Sequence, residues 1–139
     1  MPTIPDQWRS EANSCQDVYG VPWQFSLAVA IHESGWGTSE IYRRHGNPFG
    51  IHLRGKPVRF GSLASAWEAF GERFAVEPMY RNAVAVYREQ GLSTEFFEAW
   101  AAVYCPNTPK HPDQSEGWAL SVERLVNQLG ASEAVKLRG

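Results

Sequence analysis

The chain has 139 residues, of which 43% are hydrophobic and 13% aromatic, and its formal net charge is −2. This length fits one domain with its own core, and the apolar and aromatic content excludes an intrinsically disordered chain. No basic stretch is long enough to follow a phosphate backbone, so we expect no nucleic-acid partner. No apolar run approaches the roughly 20 residues that a membrane-spanning helix needs, so we expect no membrane span.

The N-terminus gives no readable signal peptide, because it lacks a charged stretch followed by an apolar one. The protein is then either leaderless or trimmed of its leader. Cys15 and Cys105 are too few for a disulfide scaffold, and we expect two thiols rather than a bridge. His32-Glu33 resembles the start of a zinc-protease motif, but no second His follows at the required spacing. We therefore expect no metal and no cofactor.

Helical spacing dominates the first 43 residues. A helix predicted over residues 5–20 has a buried face formed by Trp8, Ala12, Cys15 and Tyr19. The next, over residues 23–33, is apolar on nearly every side, which is typical of a helix in the centre of a domain. A short third helix over residues 40–43 is capped by Thr38 or Ser39.

The pattern changes to short extended runs between residues 45 and 61. Turn residues at 47–50 precede the extended runs 50–53 and 58–60, which flank residues 54–57. Extended runs on either side of a Gly- and Pro-containing turn predict a small β-hairpin. Helical spacing then resumes at Ser62 and predicts further helices over 62–74, 78–91, 94–103 and 118–129, with a polar loop over 105–115.

Glu33 is the most informative single residue. It ends the most apolar predicted helix and precedes Ser34-Gly35-Trp36-Gly37, where the helix must break. Burial beside apolar side chains and the negative end of the helix dipole both favour a protonated carboxyl, as a general acid needs near neutral pH. A solvated Glu at a frayed helix end is the ordinary alternative. The adjacent Trp36 favours the functional interpretation.

Five segments, in order along the chain, resemble one protein family. The segment LAVAIHESGWGTS, residues 27–39, resembles the acid-bearing helix of bacterial peptidoglycan N-acetylglucosaminidases, which are flagellar rod-cap and autolysin-type enzymes of the lysozyme-like superfamily. NPFGI and VRFGS are similar to the family's Asn-Leu-Phe-Gly-Ile segment and Phe-Arg-x-Tyr-x-Ser strand end. PMY is similar to its Pro-x-Tyr, and residues 100–109 to its late Gly-Tyr-Ala-Thr-Asp-Pro.

The resemblance implies a fold and a role for each matching residue. The fold class would be mostly α (α+β), a lysozyme-like bundle of about six to seven helices with one short β-hairpin. Residues 1–139 would form a single catalytic domain with its core at about 20–130. Glu33 would protonate the leaving glycosidic oxygen and Tyr104 would assist at the reacting centre. Five residues would bind substrate and shape the cleft: Ser34, Trp36, Asn47, Phe49 and Gly50. For Phe49, packing in the core is an equally good interpretation.

The implied activity is hydrolysis of the β-1,4 bond after N-acetylglucosamine in peptidoglycan. Glycan strands would be the partner of a monomer that acts in the cell wall, in the periplasm or outside the cell. A lytic transglycosylase or muramidase would instead cut the neighbouring bond, although the Gly-Leu-Met-Gln segment of transglycosylases has no counterpart here. A cell-wall-binding or assembly module, with the fold but without catalysis, is the alternative from another class.

The sequence departs from the family's pattern in the second carboxylate, which glycoside hydrolysis usually needs. The family often takes this acid from the hairpin, but no Asp or Glu lies between Glu40 and Glu68. Asp113 and Glu116, beyond Tyr104, are the other candidates. Otherwise Tyr104 positions a water, the substrate's N-acetyl group assists, or the enzyme is weakened. The hairpin instead carries cations that either serve solubility or contact peptide-stem carboxylates: Arg54, Lys56 and Arg59.

Overall fold

The computed structural model describes residues 3–138, and their side chains as far as residue 131. Over this part of the chain it has seven α-helices, a short 3₁₀ turn at Pro78–Tyr80 and one two-stranded antiparallel hairpin. The elements are α1 Asp6–Tyr19, α2 Trp23–Ser34, α3 Glu40–His45, β1 His52–Leu53, β2 Lys56–Pro57, α4 Leu63–Ala75, α5 Arg81–Gln90, α6 Thr94–Tyr104 and α7 Gln114–Arg138. The mostly helical fold class with one short hairpin is confirmed.

Two compact units follow one another along the chain, with Arg73 the last residue of the first unit and Phe74 the first residue of the second. The first unit contains α1 to α3, the hairpin and most of α4. The second contains the 3₁₀ turn and α5 to α7. None of the helices that the structure describes is long and apolar enough to cross a membrane.

The core of the first unit is built around α2. Every residue from Phe25 to Ile31 is buried, as the apolar sequence predicted. Helix α1 buries Trp8, Ala12 and Cys15 and ends at Gly20, whose φ of 76° closes the helix. Aromatic rings join α1 to α4, because Trp8 lies edge-on to Trp67 with 5.7 Å between ring centroids. Phe25 of α2 packs on Phe70 of α4, with 5.8 Å between ring centroids, so α2 contacts α4 as well.

The hairpin differs from the predicted one in its second strand. Its turn has only two residues, Arg54 and Gly55, with φ of 53° and 78°, which is the type I′ geometry that matches strand twist. Leu53 therefore pairs with Lys56, and His52 with Pro57. The prediction that residues 54–57 form the turn was wrong, because Lys56 and Pro57 belong to the second strand. Pro57 fits there because a two-stranded ladder has an outer edge, where a residue needs no N–H to donate.

The second unit is held together by aromatic packing. Tyr80 stacks on Trp100 at 4.1 Å, and Phe74 contacts the same indole at 5.8 Å. The Ser93 hydroxyl accepts from the N–H of Phe96 and caps α6. Residues 78–80 form a separate 3₁₀ turn rather than the first turn of α5, a difference confined to the start of that helix.

Candidate active site

Glu33 lies in the last turn of α2, one residue before the helix ends. The Trp36 N–H donates to the Ile31 carbonyl at 2.9 Å, and Gly35 adopts a φ of 56°, so the chain turns away sharply from the helix axis. The Glu33 side chain is half-buried. The carboxyl of Glu33 is thus carried by a buried helix, at the point where the backbone leaves the helix. Part of the side chain stays accessible.

The turn after Glu33 has an unusual backbone. Gly35, Trp36 and Gly37 have φ of 56°, 60° and 81°, so three successive residues are left-handed. For a non-Gly residue this conformation costs about 1–2 kcal/mol, and such strain persists only where the surrounding structure imposes it. Trp36 is half-buried, which leaves part of its indole exposed beside the acid.

Ser34 fixes this turn from inside the protein. Its side chain is fully buried, and its hydroxyl donates to the Ala30 carbonyl at 2.6 Å while accepting from the Gly37 N–H at 2.9 Å. Both bonds go to backbone groups. Ser34 therefore positions the turn, and the prediction that it binds substrate stays a prediction.

Asn47 organises the loop between α3 and the hairpin. It is buried, and its amide nitrogen donates to the carbonyls of Ile51 and Val58 at 2.8 and 3.0 Å. Its carbonyl oxygen accepts from the Ile51 N–H at 3.2 Å. One side chain thus ties the loop to both sides of the hairpin base. Asn47 therefore has a positioning role, and the prediction that it also contacts substrate stays a prediction.

Gly50 brings this loop against the candidate acid. Its φ is 64°, and a Cβ atom placed on it would lie 2.9 Å from Glu33 Oε2 and 3.6 Å from Glu33 Cδ. Real Cβ atoms almost never come so close to another heavy atom, so only glycine fits here without moving the carboxylate. The structure thus brings together Glu33 and Gly50, two of the predicted site residues.

Phe49 anchors the same loop in the core. Its side chain is fully buried, stacked on Phe70 at 4.6 Å and edge-on to Trp67 at 4.8 Å. Phe49 therefore packs in the core, which is one of its two predicted roles. Its direct contact with a sugar stays a prediction. Burying this ring next to Gly50 fixes where the loop backbone meets Glu33.

Tyr104 is the last residue of α6 in the second unit. It is half-buried, and its ring lies 5.4 Å from that of Trp118 and 6.1 Å from that of Trp100. This packing sets the direction of the ring. Its assisting role at the reacting centre stays a prediction.

The two acidic residues that flank the hairpin in sequence, Glu40 and Glu68, have different surroundings from Glu33. Glu40 forms an ion pair with Arg44 at 2.8 Å on the surface of α3. Glu68 is exposed and lines a cavity of about 210 Å³ together with Cys15 and Tyr19. No group of His, Cys, Asp and Glu that could hold a metal ion occurs among the described residues.

The sequence analysis missed one polar side chain near Gly50. His52 Nδ1 lies 2.8 Å from the Gly50 carbonyl oxygen, and its ring is exposed. The only signal in the sequence is its position two residues after Gly50. Its imidazole is a polar group that a ligand at this loop can reach.

Comparison with known families gives one match. A family model described as Glucosaminidase, mannosyl-glycoprotein endo-beta-N-acetylglucosaminidase, matches residues 9–130. The matched range contains Glu33, the loop at residues 46–51 and Tyr104. No curated protein and no solved structure matches the chain.

Proposed function

Because the chain belongs to the glucosaminidase family, we propose that it is a peptidoglycan hydrolase that cleaves the β-1,4 bond after N-acetylglucosamine. The family makes it a glycosidase of the type that acts on cell-wall glycan. The proposal goes further than the family in naming the bond that is cut and the residues that cut it.

One observation carries the catalytic assignment. The loop backbone at Gly50 lies against the Glu33 carboxyl, which stands half-buried at the end of a core helix. The buried helix α2 and a loop anchored by the buried side chains of Asn47 and Phe49 support the acid, and general acid catalysis requires such positioning.

Glu33 acts as the general acid in this mechanism. Its proton passes to the glycosidic oxygen as the bond from that oxygen to the sugar C1 breaks, so that the leaving sugar departs as an alcohol. Positive charge then develops at C1 and the ring oxygen of the other sugar. The ionised Glu33 later recovers a proton from solvent.

The attack on C1 needs a second group, and residues 41–67 contain no carboxylate that could serve. Two routes fit this composition. In one, the acetamido oxygen of the N-acetylglucosamine unit bonds to C1 and water then opens the ring that forms. In the other, water held by the Tyr104 hydroxyl bonds directly to C1 and releases a proton to solvent. The first route retains the anomeric configuration and the second inverts it.

Trp36 fits the role of a platform for a sugar ring. Aromatic faces stack on the apolar face of a sugar, and the Trp36 indole is half-exposed three residues after the acid. The left-handed backbone at Trp36 supports this assignment, because strained residues cluster at functional sites.

The first test is digestion of purified peptidoglycan, followed by borohydride reduction and mass spectrometry of the released fragments. Reduced N-acetylglucosamine ends are the expected result. Reduced or anhydro-muramic ends would move the cut to the neighbouring bond. Folded protein that pellets with the wall but releases nothing would indicate a binding module.

The role of Glu33 is tested by Glu33→Gln, which keeps the shape of the side chain but cannot donate the proton. Loss of a general acid should slow turnover by about 10²- to 10⁴-fold while wall binding is kept. Glu40→Gln is the matched control, since Glu40 is exposed and paired with Arg44. Equal rates for Glu33→Gln and wild type would remove Glu33 from the mechanism.

A further inference from the structure

Positive charge is concentrated around the hairpin. Five of the chain's 13 Lys and Arg residues, and none of its 15 Asp and Glu residues, lie between residues 41 and 67. Three of the five form what we name the basic hairpin surface: Arg54, Lys56 and Arg59. All three side chains are exposed, and within the described part of the chain none of them forms an ion pair.

The hairpin presents these cations to solvent. Its two strands are only two residues each, and the type I′ turn places Arg54 at the tip. Lys56 pairs across the ladder with Leu53, whose side chain is 68% exposed. Glu40 lies close to the hairpin base, where it lines a cavity with Arg44 and Pro57, but it is ion-paired with Arg44 at 2.8 Å, so the charge of the surface stays available for an external partner.

The basic hairpin surface begins close to the candidate acid. Gly50 lies against Glu33, and β1 starts at His52, whose ring reaches back to the Gly50 carbonyl. Arg54 is four residues beyond Gly50, a distance of at most about 13 Å along an extended strand. A substrate bound at Glu33 therefore has this surface within reach of its side groups.

We propose that the basic hairpin surface binds the carboxylates of the peptide stem carried by the sugar next to the cleaved bond. This inference rests on the proposed function. In peptidoglycan the stem branches from the glycan at every second sugar and ends in carboxylates, so an anionic group stands to the side of any strand bound at Glu33. Three exposed cations match that charge, and an overall negative chain would otherwise repel it.

Solubility is the competing explanation, and it makes a different prediction. Solubility depends on net charge wherever it lies, so neutralising three cations elsewhere should have the same effect. Binding of stem carboxylates depends on where the cations are and on whether the substrate is charged. The experiment therefore varies both.

The two protein variants are Arg54→Gln/Lys56→Gln/Arg59→Gln and, as a control with the same charge change, Arg81→Gln/Arg88→Gln/Arg124→Gln. The control residues are exposed cations of α5 and α7. The first substrate is peptidoglycan stripped of phosphate-containing polymers, with its amines acetylated. The second is the same preparation with its carboxylates converted to amides. Release of reducing ends and co-sedimentation with the insoluble wall are measured at low and high salt.

The hairpin variant should lose about fivefold to tenfold in kcat/KM and in binding on the charged substrate at low salt, as expected for three surface ion pairs of modest strength. The control variant should match wild type there. On the amidated substrate all three proteins should behave alike, and high salt should remove the difference on the charged one.

Equal activity of the hairpin variant and wild type on the charged substrate would overturn the proposal, and so would an equal loss on both substrates. Wall that retains its phosphate polymers serves as a third substrate, and a loss seen only on it would overturn the proposal and assign the surface to phosphate. If wild type releases no N-acetylglucosamine ends, the proposed function fails, but co-sedimentation still tests the hairpin separately.

Discussion

Side chains of the candidate site divide into those that keep exposed surface and those that hold the backbone. Ser34 and Asn47 are both buried, and all their recorded hydrogen bonds go to backbone groups. Their polar atoms shape the site by fixing the turn and the loop. Trp36 and His52 keep exposed ring surface, and these two are the better candidates for direct contact.

Tyr104→Phe tests the second proposed catalytic residue. The ring should keep its packing on Trp118, so loss of the hydroxyl changes little in the fold. If the hydroxyl holds water or an oxygen at the reacting centre, kcat should fall about tenfold to a hundredfold with little change in KM. Steady-state rates on the phosphate-free peptidoglycan measure this. Tyr87→Phe is the matched control, since Tyr87 is also half-buried among aromatic rings of the same unit. A kcat equal to that of Tyr87→Phe would leave Tyr104 a purely structural residue.

At the scale of elements, the site depends on how one loop meets one helix end. Phe49 buries its ring between Trp67 and Phe70, and Asn47 ties the loop to the hairpin. These two anchors stand on either side of the turn that delivers Gly50 to Glu33. The hairpin continues directly from this loop, so the acid and the basic hairpin surface share one support.

Gly50→Ala should disrupt this junction. The methyl group would meet Glu33 Oε2, the end of a flexible side chain that can swing away, so the cost in unfolding free energy should be about the 1–2 kcal/mol of the left-handed backbone, while displacement of the carboxylate should lower activity. Urea unfolding measures the first quantity and fragment release the second. Gly20→Ala is the control, since its φ is 76° and nothing lies near its Cβ position.

For the molecule as a whole, neither cysteine is disulfide-bonded, and Cys15 is buried. Burial, with a smaller effect of the Glu11 charge, raises the pKa of the Cys15 thiol from 9.0 to about 12. The unfolded chain therefore loses this proton at a lower pH than the folded one.

The single domain predicted over residues 1–139 stays a prediction.

Stability should fall as pH rises from 9 towards 12, because over this range the folded state binds the Cys15 proton and the unfolded state does not. Urea midpoints at several pH values measure the slope. Cys15→Ala should flatten it relative to Cys105→Ala, whatever the baseline stability of each variant. Parallel slopes in the two variants would mean that the Cys15 thiol does not titrate with unfolding.

Local sequence determined most of the elements. Periodic apolar residues defined α1, α2 and α4, and Gly20 and Ser93 marked a helix end and a helix start, because periodicity and capping act within a few residues. The same local information singled out Glu33, since a carboxyl at the end of an apolar helix is visible in the sequence. The charge pattern of the hairpin was equally visible.

Tertiary structure alone decided the surroundings of Glu33. Gly50 is 17 positions away in sequence, and its approach to the carboxylate depends on the burial of Phe49 and Asn47, which no local pattern specifies. The hairpin register, by contrast, is set locally by the turn residues Arg54 and Gly55, and the prediction missed it because a positive φ is uncommon for a residue such as Arg54. Which groups lie beside an acid is decided by packing between distant segments, and those long-range contacts become fixed only when the core forms.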